Sequence, residues 1–475
     1  MPDQEEEETL TEESPIPRPS AGHPRAWLTF IGSSENQFES SGQVFALDDV
    51  RTVRFGRGRN QLDAEQSGTV LHISVPLGWV STAHAELRIV PEEGRLEFDL
   101  RDLGSRNGTH IERSPIPGIA RLKPGQVFEV GRSFWMVRAV EARDLEPAHV
   151  DLLDVAGTSN PTLCAIQRTL ARLAKSDVPL LLCGETGTGK EVSARAIHRV
   201  SERKGAFVTA NLAALSDERV DALLHGYRAG AVPGTTEDQL GLFELAHEGT
   251  LFFDELGELS STVQAKLLAA LTDSAITRVG ETHARPVDVR TICASLHDVH
   301  AMVLNGSFRP DLYSRLVGFQ AELPPLRERR EDLGVLTAAL CRNRGMPVRL
   351  STRAFRRILG YEWPYNVREL EQTIATASIL AGSDGEITRD ILDEIVERRS
   401  DMPRNPETVR QLRAQLVDQL VRTSGDANEV ARAMDRDPKE IKRWLERFEL
   451  RPEAYQDPSP GTETLIDPTA KLREE

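Results

Sequence analysis

Eight residues constrain this chain more than any others: Gly184-Glu185-Thr186-Gly187-Thr188-Gly189-Lys190-Glu191. An apolar run, Val178–Cys183, leads into them, and a helical pattern from Glu191 to Val200 leads out. The glycines let successive backbone N–H groups turn inward around phosphate oxygens. The helix N-terminus adds a dipole that favours anions, and Lys190 reaches the β- and γ-phosphates. Glu191 stands where Ser or Thr is usual and offers a carboxylate toward Mg2+ or its waters. Further on, Leu251-Phe252-Phe253 forms a buried strand from Thr250 that ends in Asp254-Glu255. Asp254 is placed to hold magnesium and Glu255 to polarise an attacking water. With a third apolar run at Val289–Ala294, these strands alternate with helical stretches, which predicts a parallel sheet wrapped by helices with ATP and Mg2+ as cofactors.

The chain has 475 residues, room for about three domains. Residues 1–25 hold an acidic run, Glu5–Glu8, and then four prolines, a composition that predicts a disordered tail. Residues 26–142 show short period-two runs such as Leu96, Phe98 and Leu100, cut by turns such as Asn107-Gly108, which predicts an antiparallel β-sandwich. The polar stretch Asn60–Gly68 within it reads as a long loop. A linker at 143–157 precedes the α/β core at 158–345. Residues 346–398 read as helical only, 407–451 as a small helical unit and 452–475 as a tail. No apolar run suits a membrane span, and four dispersed cysteines point to a reducing cytoplasm. The net charge of −16 confines any nucleic-acid contact to a local basic patch.

Phe308-Arg309-Pro310-Asp311-Leu312-Tyr313-Ser314-Arg315-Leu316, Leu323-Pro324-Pro325-Leu326-Arg327-Glu328-Arg329 and Trp363-Pro364-Tyr365-Asn366-Val367-Arg368-Glu369-Leu370 follow the phosphate loop and the acidic strand in order. Together they resemble the AAA+ domain of bacterial enhancer-binding proteins, activators of sigma-54 RNA polymerase, over residues 158–395, with 346–398 as the helical lid. The resemblance implies that Asn211 restrains Glu255, that Arg309 and Arg315 reach into a neighbouring subunit's site, and that Arg368 contacts nucleotide in its own subunit. Sites shared this way imply a ring, a hexamer in that family. Where the family carries Gly-Ala-Phe-Thr-Gly-Ala on its sigma-54 contact loop, this chain reads Gly230-Ala231-Val232-Pro233-Gly234-Thr235. Two readings therefore stand: a ring that activates sigma-54 polymerase, and a phosphopeptide- and DNA-binding regulator whose ring no longer acts on it.

Phe55-Gly56-Arg57, Ser81-Thr82-Ala83-His84-Ala85 and Asp102-Leu103-Gly104-Ser105-Arg106-Asn107-Gly108-Thr109 resemble the forkhead-associated (FHA) domain, a reader of phosphothreonine peptides. A phosphate dianion needs a guanidinium plus neutral donors. The resemblance assigns these to Arg57, Ser81, Thr82, Arg106 and Asn107, with His84 shaping the loops. A sandwich retained without peptide binding is the other reading.

At 407–451, Ser424-Gly425-Asp426-Ala427-Asn428 precedes a helix pair that resembles the Fis-type helix-turn-helix. Leu412, Leu416, Leu420 and Val421 supply an apolar face, and Lys439, Lys442, Arg443 and Arg447 are offered to DNA. The segment holds 10 basic and 9 acidic side chains from Glu407 to Arg451, and a helical oligomerisation bundle fits it as well.

Overall fold

A computed structural model describes residues 25–33, 40–92, 95–140, 157–211, 217, 219–272, 275–342, 349–382, 385–400, 406–434, 441–442, 444–445, 448, 450 and 452–455. Residues 1–24 of the expected N-terminal tail, 143–156 of the expected linker and most of the C-terminal tail lie outside these residues. The chain divides into two units, Met1–Thr388 and Arg389–Glu475.

The first unit opens with twelve strands. These are β1 (Arg25–Ser33), β2 (Gln43–Ala46), β3 (Thr52–Arg57), β4 (Asp63–Ser67), β5 (Val70–Val75), β6 (Ala85–Glu92), β7 (Arg95–Asp102), β8 (Thr109–Ile111), β9 (Ser114–Pro115), β10 (Ile119–Leu122), β11 (Val127–Val130) and β12 (Ser133–Val140). They form two six-stranded sheets, β2-β1-β12-β11-β8-β9 and β10-β7-β6-β3-β5-β4. Alternating side chains meet between the sheets, where the Trp135 ring lies 4.9 Å from Phe30 and 5.1 Å from Phe55. Two details depart from expectation. β3 and β5 run parallel, so the sandwich is not purely antiparallel. The polar stretch read as a loop contains β4, which hairpins onto β5 through Gly68. An edge strand has an unpaired side and one face in water, so an Asp-Ala-Glu-Gln-Ser sequence can occupy it without an apolar pattern.

After α1 (Pro161–Ala174), capped by Asn160 at the Leu163 N–H, come β13 (Leu180–Cys183), α2 (Lys190–Val200), β14 (Phe207–Asn211) and α3 (Val220–His225). A hairpin, β15 (Gly226–Tyr227) with β16 (Gln239–Leu240), is followed by α4 (Leu242–Leu245), β17 (Thr250–Asp254) and α5 (Ser261–Thr272). A second hairpin of β18 (Ala275–Ile276) and β19 (Arg285–Pro286) leads to β20 (Arg290–Ser295), α6 (Val299–Leu304), α7 (Pro310–Leu316) and β21 (Phe319–Glu322). The sheet order is β14-β17-β20-β13-β21, parallel throughout. Its central strands are buried on both faces, which is why they read as solid apolar runs.

The unit closes with α8 (Leu333–Arg342), β22 (Arg349–Leu350), α9 (Thr352–Leu359), α10 (Asn366–Leu380) and β23 (Glu386–Ile387). The region expected to be helical only thus includes one short parallel strand pair, β22 with β23. The sandwich docks onto these helices. β1 packs against α8, Phe134 meets Phe355 edge-on at 5.1 Å, and Glu112 pairs with Arg330. Glu129 pairs with Arg356 and Arg138 with Glu331.

The second unit contains α11 (Arg389–Ser400), α12 (Pro406–Arg422) and α13 (Ala427–Ala433). Leu416 and Leu420 pack with Val430, Ala431, Ile441, Trp444 and Leu445. Val421, expected on that apolar face, is exposed, because it follows Leu420 by one residue and so points about 100° away. The segment expected to be tail begins with a helical turn, Pro452–Tyr455, and Tyr455 packs on the core.

Candidate nucleotide site and phosphate-reading loops

At the C-terminal edge of the parallel sheet, where such folds bind ligands, β13 runs into the glycine loop and α2 begins at Lys190. Lys190 is buried, and its ammonium donates to the Gly184 and Glu185 carbonyls at 2.7 and 3.2 Å. Burial lowers its pKa, against the pull of Glu255 and Asp254, and Arg368 pushes in the same direction as burial. All four groups therefore share one electrostatic site. Strand register sets Asn211 opposite Asp254, next to Glu255. Glu255 has left-handed backbone angles, φ 57° and ψ 50°, and its N–H donates to the Asp254 carboxylate.

The lid seats itself on this loop through residues that the sequence reading left unassigned. The Val367 N–H donates to the Gly187 carbonyl at 3.0 Å. A Cβ at Gly187, whose φ is +79°, would collide with the Tyr365 carbonyl and press on Arg368. Asn366 donates to the Glu185 carboxylate and the Thr186 carbonyl at 3.1 and 3.0 Å. Arg327 forks onto Glu185, holding that carboxyl below its ordinary pKa, and the buried Arg329 donates to the Thr188 carbonyl. Such contacts join positions far apart in the chain and leave no periodic trace.

The other assigned residues stand as follows. Glu191 accepts from Arg195 at 2.7 Å on the exposed side of α2, which leaves Asp254 as the better-placed carboxylate for a cation. Arg309 pairs with Asp311, and Arg315 donates to the Leu271 carbonyl, both on the exposed surface of α7. In the loop 230–235, Val232-Pro233-Gly234-Thr235 closes a turn by a Thr235 N–H to Val232 carbonyl bond of 3.2 Å. Proline at its second position and Gly234 at φ +83° match a type II turn. Of the proposed DNA-contacting residues, Lys442 is exposed, while Lys439, Arg443 and Arg447 lie outside the described residues.

The residues expected to read phosphate meet at one end of the sandwich. Arg57 donates to the Val80 and Gly78 carbonyls, the Arg106 N–H donates to the Ser81 hydroxyl, and Asn107 donates to the Trp79 carbonyl. Thr82 is exposed beside them. Asp102 ties the loop from below. Burial would raise its pKa, but bonds from Ser105, Thr109 and Gly104 overcome this and hold the carboxyl low.

His84 is fully buried. Its Nδ1 accepts from the Ser81 N–H at 3.0 Å, and Nε2 lies 3.1 Å from the Gly108 carbonyl, so a neutral ring protonated at Nε2 serves both loops. Burial lowers its pKa from the ordinary 6.5, against bonding to Gly108. The unfolded chain then takes up this proton at higher pH than the folded one. The stabilisation is complete above pH 6.5 and is lost as pH falls below it. The thermal midpoint of the sandwich will drop in that window, and His84→Gln will flatten the drop; an unchanged slope in the variant refutes the assignment.

This fold and site define a P-loop nucleotide-handling domain with a helical lid, joined to a twelve-stranded β-sandwich. Residues 156–322 match the family described as the Sigma-54 interaction domain, 327–408 the AAA+ ATPase lid domain, and 53–131 the FHA domain. The chain therefore carries an FHA domain ahead of an AAA+ domain of the sigma-54-interaction type with its lid. The Nif-specific regulatory protein of Azospirillum brasilense is 41% identical over 241 residues, 50% of this chain and 38% of that protein. The anaerobic nitric oxide reductase transcription regulator NorR of Enterobacter sp. (strain 638) is 40% identical over 258 residues, 52% and 51% respectively. The chain thus spans about half or less of these relatives' length. NtrX from Brucella abortus in complex with ATP aligns at 29% identity and a TM-score of 0.47, over 62% of this chain and 70% of that one. Among the described residues, no helix is long and apolar enough to cross a membrane.

Proposed function

We propose that this protein is an ATP-driven regulator of sigma-54 transcription under phosphothreonine control. The observation that carries the reading is a glycine loop with buried Lys190 at the head of α2, seated under the lid by the Val367 and Asn366 bonds to Gly187 and Thr186, within a matched Sigma-54 interaction domain. In this reading Lys190 and the loop N–H groups bind the ATP phosphates. Asp254 holds Mg2+, Glu255 orients water under restraint by Asn211, and Arg309 and Arg315 complete a neighbouring site in a hexameric ring. Arg57, Ser81, Thr82, Arg106 and Asn107 bind the phosphopeptide, and the C-terminal helices hold DNA upstream of a promoter in the cytoplasm. The relatives named as transcription and Nif-specific regulators support the regulatory assignment.

The closed Val232–Thr235 turn favours a second reading, in which the ring assembles without acting on sigma-54. Pro233 fixes φ and removes a donor in the element that would have to move. Open-complex formation on a sigma-54 promoter carrying this protein's DNA site separates the two. ATP-dependent opening, absent with a non-hydrolysable analogue, supports the first. ATP turnover without opening supports the second, and Val232→Phe with Pro233→Thr is then expected to restore opening.

A further inference from the structure

Beside the phosphate-reading loops, the sandwich and the lid enclose a cleft of about 530 Å³. That is within the size of pockets that take a drug-sized ligand, about 300–1,000 Å³. Asn107 lines it from the β7–β8 loop, where Arg106 bonds Ser81 of the neighbouring β5–β6 loop, so the cleft continues directly from the phosphopeptide site. The opposite wall is the start of α9, Ser351 to Arg353, which belongs to the ATPase lid.

The charge in the cleft is one-sided. Its only carboxylate among the lining residues, Glu129, is taken by a bidentate bond from Arg356, at 2.7 and 2.8 Å. Two cations remain uncompensated among the described residues, one on each wall. On the sandwich side the Arg132 guanidinium lies 3.3 Å from the centre of the Trp79 ring, and the Trp79 carbonyl in turn accepts from Asn107. This stack fixes Arg132 beside the reading loop. On the lid side Arg353 is exposed and makes no ion pair among the described residues. Between them His110 presents a buried Nδ1 with no hydrogen-bond partner. An acidic guest would meet both guanidiniums, whereas a basic one would meet two positive charges.

We infer that the phosphopeptide site is composite: a phosphothreonine held by the sandwich extends an acidic flank into this cleft, where Arg132 and the lid's Arg353 bind it. The inference rests on the phosphothreonine reading and adds its sequence preference and a direct contact between peptide and ATPase lid. Because the lid touches the glycine loop through Asn366 and Arg327, a peptide bound this way engages the element that contacts the nucleotide site.

The test uses the full chain and labelled synthetic peptides with a central phosphothreonine, flanked by alanines or by glutamates on either side, with anisotropy as the readout. The wild-type protein will bind a glutamate-flanked peptide about five- to tenfold tighter than the alanine-flanked one, an advantage that fades with added salt. Arg353→Glu will abolish the advantage and leave the alanine-flanked affinity unchanged. Arg353→Lys will keep most of it, which shows that the charge matters and that the lid is still folded. Equal binding of acidic and neutral flanks by the wild type overturns the composite site while leaving phosphothreonine reading intact. So does an Arg353→Glu protein that retains the preference, or one that weakens both peptides alike. Failure of the alanine-flanked phosphopeptide to bind, with its phosphate-free form as control, removes the phosphothreonine reading itself and the inference with it.

Discussion

The full-length protein carrying Glu255→Gln will bind ATP normally and hydrolyse it about 10²–10⁴-fold more slowly, the usual contribution of a positioned general base. The geometry explains why the loss should fall on turnover and spare binding. Lys190 is held by the Gly184 and Glu185 carbonyls, not by Glu255, so the substitution leaves the proposed phosphate-binding groups in place. Glu255 instead occupies a left-handed conformation that costs a non-glycine residue about 1–3 kcal/mol. Buried Leu256 behind it and its N–H bond to Asp254 hold it there. Glutamine is nearly isosteric and keeps that backbone, but it cannot accept a proton from water. Equilibrium binding of a fluorescent ATP analogue beside steady-state phosphate release distinguishes the cases. Weak binding would mean that Glu255 shapes the nucleotide pocket, and turnover within fivefold of wild type would mean that another group activates water. Lys190→Ala is the complementary control, losing binding and turnover together.

How far the chain could be read in advance depends on where each signal lives. The strand–loop–helix around Lys190 was legible because phosphate chemistry needs those residue types consecutively. Strands β13, β17 and β20 show as apolar runs, and β6, β7 and β12 as alternation. β14 and β21 went unnoticed, being short, with exposed or half-buried residues on the sheet's edges. At the site, Lys190, Asp254 and Glu255 stand in local motifs, whereas Arg368 follows only from the family resemblance. Arg327, Arg329 and Asn366 were quoted within motifs without a role, because their partners on the glycine loop are more than a hundred residues away. The docking of the sandwich on the lid was not legible at all. Arg138 and Glu129 sit in strands as ordinary polar positions and Glu112 in the turn after β8, and only the assembled sandwich turns them toward Glu331, Arg356 and Arg330.

That docking yields the second large effect. Arg138→Ala will destabilise the first unit by about 3 kcal/mol, the scale expected when one partner of a buried ion pair is removed. Glu331 is wholly buried, and Arg138 supplies two of its bonds, at 3.0 and 2.9 Å. Without them the carboxylate keeps only the Asn160 amide among its described partners. The Glu328 carbonyl loses its Arg138 bond as well. Replacing both members, Arg138→Met with Glu331→Leu, will recover most of the loss, since an apolar pair demands no solvation. Urea titration of the full chain is a direct readout, because buried Trp27 and Trp135 report on the sandwich and Trp363 on the lid. In the wild type these tryptophans will unfold in one transition, and in Arg138→Ala the sandwich signal will separate from the lid's. An unchanged, single transition in Arg138→Ala refutes the clamp. Separation with unaltered ATP turnover would limit its role to holding the sandwich in place. Separation with altered turnover would make the pair a route from the FHA domain to the glycine loop, since Glu331 stands two residues from Arg329 and its bond to the Thr188 carbonyl.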